Sequence, residues 1–194
     1  MKKLPRSFYL REDVIEVARD LLGKVLITRF NGSVMAGIIT ETEAYNGIVD
    51  RASHAFGGKR TARNEMMYAR GGTAYVYLCY GIHHLFNVVT HRSNIPHAVL
   101  VRSIHPLIGQ TTMANRRQTN GKLTTGGPGT LSEALGIRTD HNGTDLLGDT
   151  IHIADQGIRI PVLSIIVGPR IGVGSAGADA LLPYRFRIDP RILA

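Results

Sequence analysis

The dipeptide Asn31-Gly32 stands between two strand-like runs, residues 24–30 and 34–45, and constrains the fold more than any other feature of the chain. Asn-Gly accepts left-handed backbone at both positions, which a tight two-residue hairpin requires. The second run is long. Period-two alternation along it predicts one face carrying Glu41, Glu43 and Tyr45 and another carrying Val34, Ala36, Ile38 and Ala44.

Around this hairpin the remaining elements are short. Val14, Val17, Ala18, Leu21 and Leu22 recur at helical spacing, Asp13 and Glu16 fit a capping box, and Gly23 can end the turn. Residues 13–22 therefore read as an amphipathic helix. Residues 46–72 are Gly-rich, basic and irregular, the composition of a functional loop. Residues 73–80 are aromatic and strand-like, with further strands predicted at 85–90 and 98–104. Residues 109–127 are polar and read as a mobile loop, 128–135 as a short helix stopped by Gly136. Strands near 151–154, 162–167 and 184–188 close the chain. Strands that adjoin as hairpins predict an α+β fold: one compact domain over 1–194, a mostly antiparallel curved sheet with flanking helices and a protruding β-hairpin.

Composition narrows the function classes. Hydrophobic residues make up 43% of the 194, which excludes a disordered chain. Lys and Arg total 23 against 15 Asp and Glu, a net charge of +8. Such a domain binds polyanions, or simply has a basic surface; composition leaves both open. The sole cysteine, Cys79, excludes an intrachain disulfide and a Cys-based zinc site. Residues 1–13 have no apolar core of a secretory signal, and no stretch is apolar enough to span a bilayer. The expectation is an intracellular protein, in cytoplasm, nucleoid or nucleus, acting as a monomer without membrane contact.

Three clusters carry chemistry. In Glu41-Thr42-Glu43-Ala44-Tyr45, carboxylates share a face with a flat aromatic side chain, an arrangement that could activate water beside a stacked ring. From this segment alone an ordinary solvated edge strand is the stronger reading. In Tyr75-Val76-Tyr77-Leu78-Cys79-Tyr80-Gly81, three of the chain's 7 tyrosines fall within six residues. Tyr75 and Tyr77 share one face and Tyr80 takes the other, offering stacking platforms or a wedge, or else ordinary strand packing. Lys59, Arg60 and Arg63, with Arg70, could neutralise phosphates or form a solvated charge run.

Taken in order, these segments resemble a known family. The chain carries Ala-Arg-Asp-Leu-Leu-Gly-Lys at 18–24, Glu-Thr-Glu-Ala-Tyr at 41–45, Ala-Ser-His at 52–54, Arg63-Asn64 and Met67-Tyr68. Then follow Tyr-Val-Tyr-Leu-Cys-Tyr-Gly at 75–81, Phe86-Asn87-Val88-Val89, Ala98-Val99-Leu100-Val101-Arg102 and Tyr184-Arg185-Phe186. This ordered set resembles the alkyladenine (3-methyladenine) DNA glycosylases, the single-domain kind without a helix-hairpin-helix motif. The resemblance implies duplex DNA containing damaged purines as substrate, hydrolysis of the N-glycosidic bond, and no cofactor or metal. It makes Glu43 the base that deprotonates water and Arg102 the group holding Glu43 and the water in place. Tyr45, His54 and Tyr77 would sandwich the flipped base, and Asn87 would reject guanine's amino group. Tyr80 would fill the gap left in the duplex, and Lys59, Arg60, Thr61 and Arg63 would lie near DNA. No lysine stands beside the carboxylates to form a Schiff base, so a monofunctional enzyme is expected. A non-catalytic module that kinks DNA with Tyr80 is the alternative.

Two motifs are set aside. Gly172, Gly174 and Gly177 form a G-x-G-x-x-G, but too few residues follow for a dinucleotide-binding unit, so it reads as a tight loop near the site. His83, His84, His91, His97 and His105 form no metal-binding pattern. A third, residues 126–130 opening a short helix, reads equally as a phosphate-binding turn or a plain loop junction.

Overall fold

Asn31 and Gly32 both adopt left-handed backbone (φ 50° and 75°), and the hairpin they close organises the molecule. The computed structural model describes residues 1–118 and 123–193. Its strands are β1 (Lys2–Lys3), β2 (Val25–Phe30), β3 (Ser33–Asn46), β4 (Ala74–Cys79), β5 (His83–Thr90), β6 (His97–Ile108), β7 (Ile151–Asp155), β8 (Ile166–Gly168) and β9 (Arg185–Arg187). The helices are α1 (Arg6–Tyr9), α2 (Val14–Asp20), α3 (Gln110–Arg117) and α4 (Pro128–Leu135). All pairings are antiparallel, in the order β1-β7-β2-β3-β6-β5-β4, with β9 pairing both β3 and β8. This is the α+β architecture expected.

Helices cover one face of the sheet. Asp13 caps α2 by accepting the Ile15 and Glu16 amides (2.7 and 3.1 Å), and Val14, Val17 and Ala18 turn inward. They join Leu131, Ala134 and Leu135 of α4 and Met113 of α3 against Met35, Ile39, Ala44, Val99 and Phe86. Burial of these apolar side chains is the main stabilising term, roughly 25 cal/mol per Å² removed from water. The opposite face carries two smaller clusters. One, with Ala55, Met67, Tyr68 and Tyr75, lies under the irregular segment after β3; the other joins Val25, Ile27, Ala36 and Ile38.

The structure corrects the strict alternation along β3. Ala44 packs with Met35 and Ile39 in the main core, whereas Val34, Ala36 and Ile38 belong to the opposite face. The β3–β6 register shifts between Ile39 and Glu41 and again between Glu41 and Thr42. Pairing with β2 ends at Ile38, and β9 takes over that edge at Glu41–Glu43. The irregularity reverses the strand's faces. It keeps Thr42 and Ala44 toward α2, where the Thr42 hydroxyl donates to Ala18 O (2.8 Å), and sends Glu41, Glu43 and Tyr45 away from the helices.

Two other expectations change. Within 109–127, residues 110–117 form α3 rather than a mobile loop, and residues 119–122 lie outside the described residues. The strand expected over 162–167 is a single 3₁₀ turn, Val162–Ser164, followed by the short β8. Its exposed Val162 and Leu163 resemble a buried strand only in composition.

Candidate active site and nucleic-acid interface

Glu43 lies near the C-terminal end of β3, between β6 and β9, with no solvent-exposed surface. Its Oε2 accepts the Tyr45 hydroxyl (2.9 Å), and Arg102 Nη1 lies 3.4 Å from the same oxygen. Its Oε1 accepts the backbone N–H of Ile171 (2.8 Å). Burial pushes the Glu43 pKa up, and the charge of Glu41 adds to this. Arg102, the Ile171 amide and the Tyr45 hydroxyl pull it back only in part. Arg102 itself is shared: its Nε also donates to Glu41 Oε1 (3.1 Å), which accepts Arg185 Nε as well (2.6 Å).

Tyr45, Arg102 and Ile171, the three groups that touch Glu43, also line a cleft of about 800 Å³. The carboxylate therefore lies one layer behind the cleft wall. Tyr75, Tyr77, His54 and Asn87 line the same cleft. The His54 ring meets Tyr77 edge-on at 4.7 Å, its Nδ1 is 2.8 Å from the Tyr75 hydroxyl, and the Tyr75 and Tyr77 rings are 5.3 Å apart. Burial, with Arg63 and Lys59 nearby, pushes the His54 pKa down, so the ring is neutral at neutral pH. Asn87 is buried, and its amide nitrogen donates to Tyr75 O (3.1 Å) and Leu85 O (3.2 Å), which fixes the side chain against the wall.

At the rim, β4 and β5 project as a hairpin. Its turn, Cys79 to Ile82, is closed by the Ile82 N–H donating to Cys79 O (3.1 Å). Tyr80 and Gly81 are both left-handed (φ 51° and 75°), and Tyr80 is 91% exposed. It belongs to the turn rather than to the second face of a strand. Of the basic loop, Arg60 bridges Glu65 (2.9 Å through Nε) and Asn94 (3.0 Å) and lies over the Tyr68 ring. Arg63 donates to Leu78 O (3.1 Å) and lines the cleft; Lys59 is exposed. The Thr61 amide and hydroxyl donate to Asn64 Oδ1 (2.7 and 3.1 Å), bracing this loop.

The sequence reading missed Arg170. Its guanidinium is fully buried, makes a bidentate pair with Asp50, and donates to Ala44 O (2.9 Å) and Asp179 O (3.1 Å). It also lies 4.9 Å over the Tyr45 ring and 5.2 Å over Tyr184. Burial disfavours the Asp50 charge, but Arg170 and the Asn46 and Ala52 amides outweigh it and hold the carboxyl below its usual range. Arg170 thus fastens the segment that delivers the Ile171 amide to Glu43. Gly172, Val173 and Ser175 line the cleft, so the G-x-G-x-x-G lies at the site, but Gly174 and Gly177 fall within a kinked 3₁₀ segment, Gly174–Leu181, rather than a plain tight loop. Among the described residues no three His, Cys, Asp or Glu side chains converge as metal ligands, and no helix is long and apolar enough to cross a membrane.

A buried carboxylate behind an aromatic cleft, on an antiparallel sheet with a projecting hairpin, has the make-up of a site that could act on a flat ring. Residues 7–191 match the family described as Methylpurine-DNA glycosylase (MPG). A Chlamydia felis protein is 46% identical over 189 residues, covering 96% of both chains. One from Desulfitobacterium hafniense is 42% identical over 198 residues (97% and 96%), and one from Bacillus cereus is 40% identical over 192 (94% and 93%). All three carry the provisional name 3-methyladenine DNA glycosylase. The chain belongs to the methylpurine-DNA glycosylase family.

Proposed function

We propose that this protein is a monofunctional, monomeric DNA glycosylase that removes alkylated purines such as 3-methyladenine and 7-methylguanine from duplex DNA. Hypoxanthine and ethenoadenine belong to the same substrate class. The observation that carries the reading is the buried Glu43 carboxylate, held by Tyr45, the Ile171 amide and Arg102, all of which line the aromatic cleft.

In this mechanism the damaged nucleotide leaves the stack and enters between Tyr45, Tyr77 and His54. Extrusion costs a few kcal/mol, least for a base that pairs poorly. A purine methylated on a ring nitrogen is cationic, and electron-rich aromatic walls and a neutral His54 accept it without repulsion. The N-glycosidic bond breaks with its electron pair passing to the base, which leaves neutral. The sugar becomes oxocarbenium-like, the water oxygen bonds to C1′, and Glu43 takes the water's proton. An abasic site remains. A cationic leaving group needs no general acid, so one carboxylate suffices; neutral lesions need protonation or hydrogen bonds to the departing ring. Glu43 Oε1 accepts the Ile171 amide with one lone pair and keeps the other for the water's proton. Asn87 fills the volume that the amino group of normal guanine would occupy.

The alternative, a module that only kinks DNA with Tyr80, has no use for a carboxyl buried behind the cleft with its pKa raised. Incubation with duplexes carrying 3-methyladenine, 7-methylguanine, hypoxanthine or ethenoadenine tests the proposal. Release of free base from at least one, and none from undamaged duplex, is expected. Binding without release from any of the four supports the alternative.

A further inference from the structure

A second cleft, of about 1100 Å³, adjoins the β4–β5 turn. Ile82, His83 and His84 line it, where Tyr80 and Gly81 of the same turn line the aromatic cleft. Its wall is built on Arg29, Arg116 and Arg138. Among the described residues no carboxylate forms an ion pair with any of these three arginines. Of the cleft's own carboxylates, Glu133 pairs with Arg117, while Asp140 is exposed at the rim, since the His141 Nδ1 beside it accepts the Arg138 amide (3.0 Å). Arg116 Nη1 reaches only the Ala134 carbonyl (3.3 Å) and the Met35 sulfur (3.4 Å). His84 adds a donor, because its Nδ1 accepts the Thr139 amide (3.2 Å) and leaves Nε2 to carry the proton.

Three guanidiniums that face one cleft, none of them in an ion pair among the described residues, repel one another. Burial and the charge of Arg138 both press the Arg116 pKa down. An anion in the cleft relieves that repulsion, and guanidinium forks match phosphate oxygens. At about 1100 Å³ the cleft is far larger than one phosphate group, and it starts at the turn that carries Tyr80. We propose that it seats the phosphodiester backbone of the duplex flanking the Tyr80 wedge, as a second DNA-binding track beside the base cleft. This rests on the glycosylase reading for its ligand.

The test uses the double variant Arg29→Gln/Arg138→Gln. Both side chains are exposed and neither lines the aromatic cleft. Duplex binding is measured across salt, with single-turnover excision at saturating DNA and a thermal melt. The expected variant melts like the parent, excises at the parent's saturated rate, and shows a log–log salt slope less steep by about 1.8, two phosphate contacts at ~0.9 each. A variant that melts normally and keeps the parent's affinity and slope overturns the proposal. If the parent releases no base while the variant still loses slope, the glycosylase reading fails and the track stands. If the parent excises and the variant matches it throughout, only the track fails.

Discussion

Tyr80 holds a backbone conformation (φ 51°) that a bulky side chain adopts only at a cost, and it exposes its ring to water. Folding gains nothing from either, whereas a wedge needs both. Asparagine tolerates left-handed backbone, so Tyr80→Asn is expected to melt no lower than the parent while binding lesion duplex more weakly by about 1–3 kcal/mol. A variant that unfolds early yet binds normally makes Tyr80 structural. Glu43 gives a second handle. Only its ionised form takes a proton from water, and burial raises its pKa, so the acid limb of excision moves upward. Single-turnover rates are expected to rise with pH through a range above that of ordinary carboxylates, then level off. A limb within the ordinary range, or none, counts against Glu43 as the base.

Between elements the decisive contacts are long-range, and this is where the sequence was least legible. Asn31-Gly32, the α2 and α4 patterns and the tyrosine run were readable, because each depends on neighbours a few residues apart. The aromatic wall therefore assembles much as anticipated, with Tyr45, His54, Tyr77 and Asn87 around one cleft. The reversal of faces in β3 was not readable: it arises where β2 leaves one edge and β9 arrives, and neither event leaves a mark in residues 39–42. Nor was Arg170, whose partner Asp50 is 120 residues away. A charge buried without its partner costs about 3–5 kcal/mol, so Arg170→Met should lose stability of that order in urea unfolding. Adding Asp50→Asn should recover part of it. If the double variant is as unstable as the two losses summed, the pair is not coupled as drawn.

For the whole molecule, a net charge of +8, with Lys59, Arg63, Arg29 and Arg138 among the exposed cations, predicts binding that weakens steeply with salt, by about 0.9 log units per log unit of salt for each phosphate neutralised. A flat titration from dilute to physiological buffer contradicts a DNA-binding surface of this size. Arg63 and the groups that hold the buried carboxylate line the aromatic cleft, whereas Arg29 and Arg138 line the cleft beside α3 and α4, so binding and chemistry can be separated by a single substitution. Glu43→Gln keeps the shape of the side chain and removes the base. Single-turnover release of 3-methyladenine or 7-methylguanine from duplex, measured with parent and Glu43→Gln under saturating protein, tests the account most directly. The prediction is a loss of about 10²–10⁴-fold, with lesion binding retained. Release by the variant within about threefold of the parent contradicts it.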